Sequence, residues 1–255
     1  AQLELEMSGN KAIERVKSSF AGGVYKDGLP WSGVLAEIDT KKHAWKFEAH
    51  IANKKPKNVP GLIKEYQKKS NNSNKIELAW NGGYILNGEL VGKLGLPETY
   101  IGSPLGLLIM ENKVFCPPLF NKPAFIIYKD GKIDIRKVNS SSGFKIKGKK
   151  EEIVFKPDNY NKHSFSEACY YDLSYTHEEI KGDGNFIIRI AGNTVKQIIP
   201  TNSNENIKII PVGITLSIPA NLFSDIIFRE GKDLNIDLLE PEKDPYRWND
   251  ISYAI

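Results

Sequence analysis

Apolar positions along this chain alternate with polar ones in most segments and recur at helical spacing in only two. The first helical stretch starts at Ser8, an N-cap residue type, and carries Ala12, Ile13, Val16 and Phe20 before Gly22-Gly23. This predicts a lead-in helix over residues 1–22. The second runs from Pro60 to Lys69, with Leu62, Ile63 and Tyr66 on one face and Pro60 in the first turn, where its missing N–H costs nothing. Elsewhere the pattern predicts strands. Val34 to Asp39 is one, and Ala44 to Ala52 is another, with Trp45, Phe47, Ala49 and Ile51 opposite Lys46, Glu48 and His50. Three hairpins follow from apolar pairs around short polar corners: 105–110 with 114–116, 125–128 with 133–135, and 186–190 with 195–199. The polar stretch 139–150 is expected to be a flexible insert. The expected class is α+β, with strand-rich mixed sheets, a few short helices and many hairpins, in one domain over residues 1–255.

The last residues, Trp248 to Ile255, end in a period-two pattern. Either a terminal strand tucks into a sheet, or a larger domain is interrupted at this point.

Composition narrows function mainly by exclusion. Thirty-five Lys+Arg against 31 Asp+Glu give a net charge of +4, too mild to argue for nucleic acid. The lysine clusters at 54–57 and 145–150 lie among Gly, Pro, Asn and Ser and read as solvated loops, with an anionic ligand as the alternative. Cys116 and Cys169 have no CxxC spacing, and sequence leaves open whether they pair. No apolar run reaches the length of a membrane helix. The histidines at 43, 50, 163 and 177 lack zinc spacing, and no GxSxG, P-loop or dinucleotide fingerprint is present. No metal or cofactor motif is identified. Cys116 precedes Pro117-Pro118 and reads as a buried thiol. Asp183, in Lys181-Gly-Asp-Gly-Asn185, resembles half a calcium loop without its closing Glu and reads as a tight turn.

The candidate chemistry concentrates at Ile76 to Leu86, where two apolar runs flank Asn81-Gly82-Gly83 followed by Tyr84. Two readings stand side by side: an ordinary hairpin turn, or a bare backbone that a ligand approaches closely, with Asn81 and Tyr84 beside it. Asp39, Glu48, Asp172 and Asp225 are candidates for acid/base work, unpaired in sequence. Trp45, Trp80, Tyr84, Tyr170 and Tyr171 suit either sugar stacking or a core.

Taken in order, these segments resemble the phosphodiester glycosidase domain family. The matching pieces are Leu35-Ala-Glu-Ile-Asp39, Leu78-Ala-Trp-Asn-Gly-Gly-Tyr84, Ser103-Pro-Leu-Gly-Leu-Leu-Ile109 and Pro123-Ala-Phe-Ile-Ile-Tyr-Lys-Asp-Gly131. Tyr175-Thr176 with the hairpin after it, and Ile210-Pro-Val-Gly-Ile-Thr-Leu-Ser217, extend the likeness over residues 34–255. Two departures stand out. Ile85 replaces the family's usual aromatic, and the sequence ends at Tyr253-Ala-Ile255, before the family's Arg-containing strand and Asp-Gly-Gly-Gly-Ser turn.

The resemblance implies the front portion of a longer, secreted or periplasmic bacterial domain. Its activity would be cleavage of a sugar-1-phosphodiester of the N-acetylglucosamine-1-phosphate type on glycans. Asn81, Gly82, Gly83 and Tyr84 would bind substrate, and the catalytic carboxylate stays unassigned. Such a chain could lack activity by itself. Its partners would be a glycan phosphodiester and a further C-terminal segment of the same protein. The alternative is a non-catalytic extracellular glycan-binding domain on the same scaffold.

Overall fold

The computed structural model describes residues 16–24, 28–42, 45–52, 56–69, 75–164, 166–241 and 247–255. In chain order the first elements are strands β1 (Val16–Val24) and β2 (Pro30–Ile38), then helices α1 (Val59–Lys69) and α2 (Gly88–Lys93). Strands β3 (Leu108–Met110), β4 (Lys113–Cys116), β5 (Asn121–Tyr128), β6 (Ile133–Asn139), β7 (Phe144–Lys147) and β8 (Glu152–Phe155) follow. Then come β9 (Cys169–Tyr171), β10 (Glu179–Lys181), β11 (Phe186–Ala191), β12 (Thr194–Pro200) and β13 (Asn206–Lys208). The last three are β14 (Ile214–Ile218), β15 (Asn235–Leu238) and β16 (Ile251–Ala254).

Strand accounts for 38% and helix for 13%, so the protein is mostly β rather than clearly α+β. Among the described residues the strands pair antiparallel throughout, as the sheet orders β12-β11-β14-β9, β4-β3-β16-β5-β6, β15-β7-β8, β10-β13 and β1-β2. The sheets are therefore not mixed in strand direction, which fits their construction from hairpins and short meanders.

The chain divides into two compact units, residues 1–46 with 63–80 and residues 47–62 with 81–255. In the first, β1 and β2 form a nine-residue ribbon with Phe20 opposite Val34. Its described part overturns the lead-in helix: Val16 to Phe20 are strand, and the expected N-cap at Ser8 lies outside the described residues. The spacing of Val16 and Phe20 is a local signal, and pairing of every residue from Val16 to Val24 with Pro30–Ile38 overrides it.

The second unit holds the main core. Ile126, Ile146, Phe144, Phe155, Tyr170, Ile188, Ile190, Leu216, Ile218 and Ile251 pack into it from the three larger sheets. Phe144 stacks on Phe155 at 4.8 Å and meets Tyr170 edge-on at 5.1 Å. Strand β14 is buried at every residue because both its faces are covered. Ile214, Leu216 and Ile218 enter the core, while Ser217 accepts a hydrogen bond from the Asn185 amide at 3.0 Å. Gly213, which leads into β14, has φ +68, and a Cβ there would fall 2.0 Å from the Ile190 carbonyl oxygen. No other residue fits that position without moving backbone.

Two further segments depart from their sequence patterns. Residues 45–52 carry no regular secondary structure, although they alternate. Residues 139–150, expected as a flexible insert, contain the turn Ser140–Ser142 and strand β7, with Phe144 and Ile146 buried. That segment is held by β15 and β8, which pair on its two sides. The chain's last strand, β16, is the middle strand of its sheet, between β3 and β5. No described helix is long and apolar enough to cross a membrane.

Candidate functional site

Neither flank of Asn81-Gly82-Gly83 is a strand, so of the two readings the hairpin turn does not form; residues 75–82 lack regular structure, and Ile85 makes a single antiparallel bridge with Pro104. The loop is fixed just downstream. Tyr84 O accepts from Leu105 N at 2.9 Å, Leu86 N donates to Ser103 O at 2.9 Å, and Gly102 N donates to Leu86 O at 2.8 Å. Leu86 is fully buried against Val91, Tyr100, Ala191, Ile210 and Val212. Asn87 then caps α2, its Oδ1 accepting from Leu90 N at 2.8 Å. The effect is a solvent-facing loop on a rigid base.

The glycines have a reason different from the one their turn chemistry suggests. Neither Gly82 nor Gly83 has a positive φ. What they supply is room: a Cβ on Gly82 would lie 2.8 Å from Ile255 Cδ1, and one on Gly83 would lie 3.1 Å from Ile255 Cγ2. Ile255 is itself bonded to Phe125 in both directions, at 2.8 and 3.0 Å. The bare backbone is thus approached closely by a side chain of the protein. On its open side, Asn81 is exposed and Tyr84 is 85% exposed. Among the described residues the N–H groups of 81–84 donate to no protein acceptor. Amides in such a row can meet an anionic or hydroxyl oxygen.

The four candidate carboxylates are not brought into one site. Asp39 Oδ1 accepts from the backbone N–H groups of Lys41 and Lys42 at 2.9 and 3.0 Å, closing a turn in the first unit. Glu48 is half-buried and Asp225 exposed. Asp172, 1% exposed, sits at the centre of a polar knot. It accepts from Ser174 N at 2.8 Å, Ser174 Oγ at 2.6 Å, Ser140 Oγ at 2.7 Å, Tyr160 OH at 2.9 Å and Phe120 N at 3.2 Å. Burial pushes this carboxyl up, but the hydrogen bonds from Ser174, Ser140 and Tyr160 outweigh it and hold the group below its usual value. With its lone pairs engaged and no solvent access, Asp172 ties segments together and is unavailable to substrate.

The aromatic candidates separate in the same way. Tyr170 and Tyr171 are core residues, whereas Trp80 and Tyr84 are exposed. Trp45 donates its indole N–H to Asp39 O at 3.1 Å. Both cysteines are free and buried, Cys116 in β4 and Cys169 in β9. Burial pushes the Cys116 thiol up to about 12 and that of Cys169 to about 11, so neither is a thiolate nucleophile near neutral pH. Among the described residues no cluster of three His, Cys, Asp or Glu suits a metal ion.

Sequence reasoning missed three things: the seat of Ile255 on Gly82-Gly83, the knot at Asp172, and an open cleft around His163 and His177. Histidines fourteen apart with Tyr175 between them were the available signal for the cleft.

The fold and loop define a strand-rich, antiparallel β protein with an exposed glycine-containing loop. No family model matches the chain, and no curated protein matches it. Among solved structures, the crystal structure of a hypothetical protein from Synechocystis is similar, with 12% identity and a TM-score of 0.43. The match covers 95% of this chain and 42% of that one, so the chain spans less than half the length of that protein.

Proposed function

We propose that this chain is a phosphodiester glycosidase-like domain of a secreted or periplasmic protein. Its ligand is a sugar-1-phosphodiester of the N-acetylglucosamine-1-phosphate type on glycans. Asn81 and the backbone amides of Gly82 and Gly83 hold phosphate or sugar oxygens, and Tyr84 packs on the sugar ring. One observation carries this reading: segments that bear the resemblance, far apart in sequence, meet at this loop. Gly82 and Gly83 touch Ile255, Ile255 is bonded to Phe125, and Tyr84 is bonded to Leu105.

Cleavage at the anomeric carbon passes through an oxocarbenium-like transition state with a phosphate monoester leaving. That leaving group is already acidic, so the demand on the site is to hold phosphate and to stabilise positive charge at carbon. The loop answers the first demand. The carboxylate for the second is not assigned, and Asp172 is excluded from it by its bonding.

The second reading is a non-catalytic glycan-binding domain, favoured by the 85% exposure of Tyr84. Calorimetric titration with N-acetylglucosamine-1-phosphate and a hydrolysis assay on its methyl phosphodiester test both. Binding that falls about tenfold or more in Asn81→Ala and Tyr84→Ala supports the loop as the site. Turnover then selects the enzyme, and binding without turnover selects the binding domain. No binding at millimolar ligand overturns both.

A further inference from the structure

Away from the loop, the second unit has an open cleft of about 630 Å³ lined by His163, Tyr171, Tyr175, His177, Glu178, Glu179, Ile180, Lys181 and Asn206. Its base is rigid. Strand β10 pairs with β13, setting Lys181 opposite Asn206, and Ile180 is buried beneath them beside Tyr171, Ile187 and Ile207. Tyr171 is fixed by donating to Lys162 O at 2.6 Å and meets Tyr175 edge-on at 5.0 Å. Tyr175 in turn meets the His177 imidazole edge-on at 5.2 Å. On the other wall, His163 Nε2 lies 2.8 Å from Asp183 Oδ2, which is held in the turn between Gly182 and Gly184. A ring ladder, a positioned imidazole and a short paired sheet thus face one space. The volume is that of a small-molecule site.

The lining decides the class of ligand. Glu178 and Glu179 stand beside Lys181, so neither sign of charge dominates, and a phosphate would meet two carboxylates. Carboxylates accept, the ammonium donates, and the Asn206 amide and the imidazoles do both. Tyr175 and His177 add ring surface for an apolar face. A neutral polyhydroxylated ring answers this combination. We infer that the cleft is a second binding site, for an uncharged saccharide, separate from the loop at residues 81–84. The sugar class is argued from the lining, while its place on a glycan substrate rests on the proposed function.

Histidine C–H resonances of the intact chain, followed by NMR during titration with N-acetylglucosamine and a set of neutral mono- and disaccharides, test the inference. The expected result is a saturable shift of the His163 and His177 signals at millimolar sugar. Affinity should fall at least about tenfold in Asn206→Ala and in His177→Ala, both at exposed positions. Unmoved histidine signals with every sugar overturn it, as does wild-type affinity in both cleft variants. Sugar binding that vanishes in Asn81→Ala and survives in Asn206→Ala also overturns it, and leaves the loop reading intact. Loss of 1-phosphate binding in Asn81→Ala with neutral-sugar binding retained supports two separate sites.

Discussion

The loop at 81–84 and the knot at Asp172 are both polar stretches, yet the structure uses them in opposite ways. At the loop, the N–H groups of the exposed residues 81–84 donate to no acceptor among the described residues, and the neighbouring packing stops at the backbone. At the knot, a carboxylate is withdrawn from water and every donor around it is aimed inward. Residue type alone does not separate these cases. What separates them is whether surrounding segments supply partners, because a buried charge is tolerated only when fully bonded, while an exposed amide is free to change partners.

The largest effect should come from breaking the knot. Asp172→Ala leaves the buried Ser140 hydroxyl, and the Ser174, Tyr160 and Phe120 donors around it, without their shared acceptor and should cost about 2–4 kcal/mol in urea unfolding. The same carboxylate gives a pH signature. Because its folded value lies below the ordinary 3.8, its contribution is present above 3.8 and is lost as pH falls further. Wild type should therefore lose stability more steeply than Asp172→Asn below that pH. A parallel dependence in the two proteins would show that the knot does not favour the ionised form.

A smaller effect is expected where the loop meets Ile255. Gly82→Ala places a methyl group 2.8 Å from Ile255 Cδ1 and should cost about 1 kcal/mol. Ile255→Ala should remove most of that penalty in the double variant, since the two sites share one contact. Additive losses would mean that the glycine is required for some other reason. The smallest change in stability, within about 0.5 kcal/mol by thermal unfolding, belongs to Asn81→Ala on the exposed side of the same loop.

Much of this architecture was readable from local pattern. The hairpins β3–β4, β5–β6 and β11–β12 stood out because each joins apolar runs across a short polar turn, and α1 was visible from Leu62, Ile63 and Tyr66. Errors arose where a distant partner decides the structure. Val16 to Phe20 reads as helical until Pro30–Ile38 pairs along the whole of Val16–Val24. The lysine-, serine- and glycine-rich run at 139–150 looks like a loop, because the strand that fixes it, Asn235–Leu238, comes much later. Residues 45–52 alternate correctly but form no strand. At the candidate site, the sequence pointed to Asn81-Gly82-Gly83 and left its glycines open between a hairpin turn and a bare backbone approached closely by a ligand. Their actual constraint, the side chain of Ile255, is a contact that no local rule contains. Asp172 was equally visible as a residue and equally opaque as a role, since its donors come from Phe120, Ser140, Tyr160 and Ser174.

The most direct measurement of the loop's role is calorimetric titration of wild type and Asn81→Ala with N-acetylglucosamine-1-phosphate, with unfolding curves for both. The expected result is saturable binding by wild type, weakened about tenfold or more in the variant at unchanged stability. Absent binding by wild type, or equal affinity in both proteins, would contradict it and leave Asn81-Gly82-Gly83 as a surface loop shaped by Ile255.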